Sequence, residues 1–87
     1  MSVWQYQIKE ISTPSLTSVR VGFMLKCDGT DYVKDVISCT AQELETLTNQ
    51  QKLDLFKQMI SDKAQPYILT YNVFQGLQQY VGATVTL

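Results

Sequence analysis

Residues 18–40 read SVRVGFMLKCDGTDYVKDVISCT, and this stretch decides the fold. Val19, Val21, Phe23, Leu25 and Cys27 alternate with Arg20, Gly22, Met24 and Lys26. Five apolar positions at period two mark a strand with one buried face. Asp28-Gly29 follows at once. A two-residue type I′ turn needs positive φ at both central positions, which Asp-Gly tolerates. The turn sets a register in which Cys27 opposes Thr30, Lys26 opposes Asp31, Leu25 opposes Tyr32 and Val21 opposes Val36. Lys26 and Asp31 then form an opposite-charge cross-strand pair, and Leu25–Tyr32 and Val21–Val36 form apolar ones. Continued without a break, that register turns Lys34 inward opposite Phe23. Either its stem snorkels at the sheet margin, or a bulge near Lys34-Asp35 shifts the phase.

Upstream, residues 3–10 alternate too. Trp4, Tyr6 and Ile8 oppose Gln5, Gln7 and Lys9, the pattern of a half-buried strand. Ser12-Thr13-Pro14-Ser15 breaks it, with Pro14 fixing its own φ in a loop. Downstream, the period changes at Thr40. Thr40 with Glu43 has the form of a capping box, opening a short helix over about residues 41–47, and Thr48 with Gln51 repeats the pattern. The next helix runs from Asn49 to about Lys63, with Leu53, Phe56 and Met59 or Ile60 along one stripe. Pro66 stops that helix or opens another. Tyr67, Tyr71, Phe74, Leu77 or Gln78, and Val81 continue a helical stripe to Gly82, a favourable residue just past a helix end. The β-branched and aromatic residues of 67–81 and the interior Gly76 weigh against a helix there, but the stripe favours one. Ala83-Thr84-Val85-Thr86-Leu87 alternates as a short final strand, expected to be docked on a sheet edge of its own or a neighbouring molecule. The expected architecture is α+β: a three-stranded antiparallel meander followed by two or three helices and a short C-terminal strand, in a single domain over residues 1–87.

The 87 residues suffice for one modest core. Hydrophobic residues make up 45%, too many for disorder. Charged residues are only 17%, below the usual quarter, and such a surface repels its own copies weakly. The net charge is −1, and the seven cations are spread singly. No basic stripe forms, which argues against nucleic acid as a partner. The longest unbroken apolar runs are three residues, far short of a membrane span. The first residues have neither the basic nor the apolar segment of a signal peptide, so a cytoplasmic location is expected.

The chain contains no histidine. Histidine moves protons near neutral pH and is the commonest metal ligand. Cys27 and Cys39 fall at opposite ends of the hairpin, ~25–30 Å apart at ~3.3 Å per residue, too far for a disulfide. They are expected as buried free thiols. Two Cys without His are too few for a structural zinc site, and no base is available to activate a catalytic thiol. Asp28-Gly29-Thr30-Asp31 has the beginning of a calcium loop but not its later ligands. No glycine-rich loop is present to cradle a phosphate. No catalytic, metal or cofactor-binding residue is therefore assigned.

The aromatics offer more. Trp4 and Tyr6 share one strand face, where they serve as core packing or as interface anchors. Tyr71 and Tyr80 belong to a second aromatic group with Tyr67 and Phe74. In the straight register, Met24, Val33 and Ile37 share the sheet face away from the helices. A sheet open to water on that face would not carry three large apolar groups. Trp4, Tyr6, Met24, Val33, Ile37, Tyr71 and Tyr80 are the expected interface residues. The expected role is a non-enzymatic structural or protein–protein interaction module that self-associates through its sheet. A small monomeric inhibitor or adaptor bound to a host protein is the alternative.

The Trp4-Gln5-Tyr6 opening, the Cys27-Asp28-Gly29-Thr30 turn and the helix start ELETLTNQQ over residues 43–51 resemble small tailed-bacteriophage structural or accessory proteins. The likeness covers the first half of the chain. Asn49-Gln50 departs from it where an acidic pair is common, as does the missing Pro-rich loop before the helix. The resemblance implies a virion or accessory protein that works by assembly, in the virion or the host cytoplasm. It carries over no site residue.

Overall fold

A computed structural model describes residues 2–87. Strand β1 covers Trp4–Ser15, β2 Ser18–Cys27 and β3 Thr30–Thr40. They form an antiparallel sheet in the order β1-β2-β3. A single helical turn, α1 (Ala41–Leu44), leads to one long helix, α2 (Asn49–Leu77), and a 3-10 turn over Gln78–Tyr80.

The β2–β3 turn is the expected one, with Asp28 at φ 52° and Gly29 at φ 80°. Cys27 pairs with Thr30 and Lys26 with Asp31, but the next pair is Leu25 with Val33. Tyr32 is therefore an extra residue, a bulge two positions before the expected place. Its effect runs down the whole strand. Val21 pairs with Ile37 instead of Val36, and Lys34 pairs with Met24 instead of facing Phe23. One inserted residue reverses every side chain beyond it, because the strand period is two. Lys34 thereby leaves the core face, and Val33, Ile37 and Cys39 enter it.

Strand β1 runs further than its sequence implies. Ser12-Thr13-Pro14-Ser15 does not end it; the strand absorbs these residues with an irregular register between Ser12 and Ser15. An edge strand tolerates Pro14 because no neighbour needs its missing N–H. A second bulge lies at Lys9, between the pairs Ile8–Phe23 and Glu10–Gly22.

Both capping boxes form. Thr40 Oγ1 accepts from Glu43 N at 3.2 Å while Glu43 Oε1 accepts from Thr40 N at 3.0 Å. Thr48 and Gln51 repeat this at 3.2 and 2.9 Å. Each box satisfies donors that the helix itself leaves free. The helix count differs from expectation. There is one main helix, because α2 passes through Pro66 without a break. An interior proline loses a hydrogen bond and clashes with the preceding turn, costing ~3 kcal/mol. Side chains on both sides of Pro66 are seated on the same sheet, Ile60 and Ala64 before it and Tyr67 and Ile68 after it. A break there would lift one group off. Residues 83–87 are not a strand in this structure; they run as irregular chain.

The core is a single layer between sheet and helix. Val21, Phe23, Leu25, Ile37 and Cys39 face Leu44, Phe56, Ile60 and Ala64. Both cysteines are free and buried. Ties along α2 fix its direction. Met59 meets Cys39, Lys63 and Tyr67 meet Asp35, and Tyr71 meets Tyr32. The helix thus runs antiparallel to β3, towards the Asp28-Gly29 turn, and continues past it. Its 29 residues span ~43 Å at 1.5 Å each, so the molecule measures 61 × 25 × 17 Å. The radius of gyration is 17.6 Å, against ~12 Å for a compact chain of this length. No helix among the described residues is long and apolar enough to cross a membrane.

Candidate association surface

Two side-chain clusters anchor α2 and determine where its seat on the sheet ends. The first is at Asp35. The Tyr67 hydroxyl donates to Asp35 Oδ2 at 2.6 Å, Val36 N donates to Oδ1 at 2.8 Å, and Lys63 Nζ lies 3.3 Å from Oδ1. Lys63 Nζ also donates to the Val36 carbonyl. Burial pushes the Asp35 carboxyl up, but the Tyr67 hydroxyl, the Val36 N–H and the Lys63 ammonium together outweigh it and hold it below the usual range. The same contact pushes Tyr67 up, since ionising its hydroxyl would set two anions together.

The second cluster closes the sheet's hairpin end. Trp4, Tyr32 and Tyr71 meet edge to face in a closed triad, with ring centroids 5.5, 5.1 and 5.5 Å apart. The bulge brings Tyr32 to the helix side, and edge-to-face pairs add stabilisation beyond area burial. Tyr71 is also pushed up in pKa, first by the Cys27 sulfur beside its hydroxyl and then by burial. Cys39, buried and 3.4 Å from the Met59 sulfur, is pushed up by its surroundings as well. Such a thiol stays protonated and inert at neutral pH.

Beyond Tyr71 the sheet ends and α2 does not. Val73, Phe74 and Leu77 each expose more than half their surface, as do Tyr80, Val81, Val85 and Leu87, and Leu69, within the seated part, does so as well. Phe74, Leu77 and Val81 continue the stripe that Tyr67 and Tyr71 bury. Over Ala64–Leu87 the sequence holds no charged residue at all, a run of 24 positions. An exposed helix normally carries charges on its solvent face. This one offers only apolar groups, Gln, Asn, Thr and Tyr.

The expected interface residues separate into three groups. Trp4, Tyr6 and Tyr71 are half-buried on the helix side, where Trp4 and Tyr71 touch. Val33 and Ile37 do not share the outer face with Met24. The Tyr32 bulge turns both to the helix side, where Ile37 is buried in the core and Val33 packs against it. Met24 does lie on the outer face, between Gln7 and Lys34, but only 7% of it is exposed. Met24 is thus covered by its polar neighbours, Val36 is the large apolar group exposed on that face, and the apolar patch the straight register implied is absent among the described residues. Tyr80 is 60% exposed, on the 3-10 turn beyond the sheet. Leu69, Val73, Phe74, Leu77 and Val81 were not assigned from sequence as interface residues. The signal that marks them is the loss of charge after Lys63. A comparison of this chain with family models, curated proteins and solved structures finds no match.

Proposed function

We propose that the chain is a non-enzymatic structural or interaction module that self-associates, and that its overshooting helix, not the outer sheet face, is the contact surface. One observation carries this reading: an exposed apolar stripe inside 24 residues without a charge, held out beyond the sheet. Eight large apolar side chains from Leu69 to Leu87 each leave more than half their surface exposed, and a standard interface buries about 800 Å² per partner. A second copy suits this surface because neither copy brings a charge that repels the other or is stranded on burial. The resemblance to tailed-phage proteins points the same way, towards a protein that works by assembly.

Sedimentation or light scattering at micromolar concentration tests the reading. The wild type is expected as a dimer or larger assembly. Phe74→Asp with Leu77→Asp is expected to give a monomer with unchanged helical circular dichroism, because neither residue belongs to the core. A wild type that stays monomeric while a different protein or a lipid vesicle protects this helix would overturn it and favour the adaptor or a membrane surface.

A further inference from the structure

Strand addition needs an open edge, and the two edges of this sheet differ. On an antiparallel edge strand, alternate residues turn their N–H and C=O away from the sheet. On β3 these include Val36, whose N–H is taken by Asp35 and whose carbonyl is taken by Lys63. That pair of charged side chains blunts the edge at mid-strand. On β1 the Val3 carbonyl accepts from Asp28 N at 2.8 Å, so Val3, Gln5 and Gln7 bond inward. The backbone groups of Trp4, Tyr6 and Ile8 therefore turn outward. Residues 4–8 themselves carry no charged side chain or proline, and Lys9 at the bulge closes the run; Lys57 of α2 lies beside Trp4, Gln5 and Tyr6 on the helix side.

Residues 83–87 match that open run in length and in phase. Ala83, Val85 and Leu87 alternate with Thr84 and Thr86, as Trp4, Tyr6 and Ile8 alternate with Gln5 and Gln7. The segment does not reach its own β1. Leu77 lies ~9 Å of helix beyond Tyr71, and the 3-10 turn adds ~6 Å. Five extended residues span ~17 Å, so folding back uses nearly all of that length before pairing begins. A second copy removes the difficulty. When two overshooting helices pack antiparallel, the Gly82 of one arrives beside the Tyr71 and Trp4 of the other.

We infer that residues 83–87 of one copy add as a strand to the open edge of β1 at Trp4–Ile8 in a second copy, reciprocally. The added strand runs parallel to β1. Val85 and Leu87 then extend the apolar face of Tyr6 and Ile8, and Thr84 and Thr86 extend the Gln face. This inference rests on the self-association proposed above and adds the swapped strand to it.

Cysteine cross-linking tests it in the full chain, with the two native cysteines left in place because both are buried. One preparation carries Gln7→Cys, the other Thr86→Cys, and the two are mixed and oxidised. A mixed disulfide between the two chains is expected. A second variant deletes residues 83–87 and is expected to dissociate with a Kd of order tenfold higher or more, equivalent to at least about 1.4 kcal/mol. An assembly that keeps its affinity without residues 83–87, or that gives no mixed disulfide, overturns the swapped strand and leaves helix-mediated association standing. A double variant that links only within one chain also overturns it. A wild type that is monomeric at every concentration removes both proposals.

Discussion

The long seated part of α2 and its short overhanging end are one continuous helix with opposite surroundings. From Asn49 to Tyr71 it lies on a sheet and buries Phe56, Ile60 and Ala64, with Lys52, Asp54, Lys57, Asp62 and Lys63 supplying its charges. From Asn72 onward it has no sheet beneath it and no charge around it. The seated part shows how a helix pairs with water on one side and a core on the other. The overhanging end has the apolar stripe without the solvated face, a composition suited to contact on more than one side. The difference lies in side chains, since the backbone is helical throughout.

The comparison breaks most readily at Ile60, which is 1% exposed. Ile60→Ala is expected to lower the free energy of unfolding by about 2–5 kcal/mol through lost burial and a cavity, read by urea denaturation. Phe74→Ala, on the same helix four turns later, is expected to leave the unfolding of an isolated subunit nearly unchanged and to weaken association. Equal losses at both sites in a monomeric sample would mean that the two parts do not differ.

Pro66 sharpens the point. It stands inside α2 only because packing holds both flanks on the sheet. Pro66→Ala restores a helix hydrogen bond and removes the clash, and is expected to raise stability by about 2 kcal/mol after the gain in unfolded-chain freedom is subtracted. A loss of stability would show that the sheet requires a distortion that proline supplies.

The Asp35 cluster fixes where the seated part rests. Asp35→Asn is expected to cost about 1 kcal/mol at neutral pH. The pH dependence follows from its lowered pKa: folding favours the ionised carboxylate, so the contribution is fully present above the unfolded value near 4 and is lost as pH falls through the lower folded value. The stability gap between wild type and Asp35→Asn should therefore close in acid, and a gap that widens there would contradict the clamp. The smallest effect is expected at Lys26–Asp31, a partly exposed pair at 3.2 Å on the far side of the sheet. Lys26→Ala should change stability by about 0.5 kcal/mol or less, and less still at high salt.

Several elements were legible because their signals are local. The strand of residues 18–27, the Asp-Gly turn, the Lys26–Asp31 pair and both capping boxes depend on neighbours a few residues apart in sequence or directly across a tight turn. The cysteine thiols followed from the hairpin register alone. The Tyr32 bulge was legible only as a conflict: Lys34 opposite Phe23 called for a snorkelling stem or a bulge near Lys34-Asp35, but the residue that yields is chosen by the aromatic contacts Tyr32 makes with Trp4 and Tyr71, 28 and 39 positions away in sequence. Carrying the straight register past Tyr32 without a bulge was enough to send Val33 and Ile37 to the wrong face, and with them the expected docking surface.

The amino-acid sequence by itself determined the meander, its turn and the starts of its helices, because alternation, turn chemistry and capping are written within single segments. Only the tertiary structure decided which face of β3 meets the core, whether Pro66 breaks a helix, and where along α2 the sheet runs out. Each of these is settled by contacts between segments far apart in the chain, whose packing outweighs the local preference of any one residue.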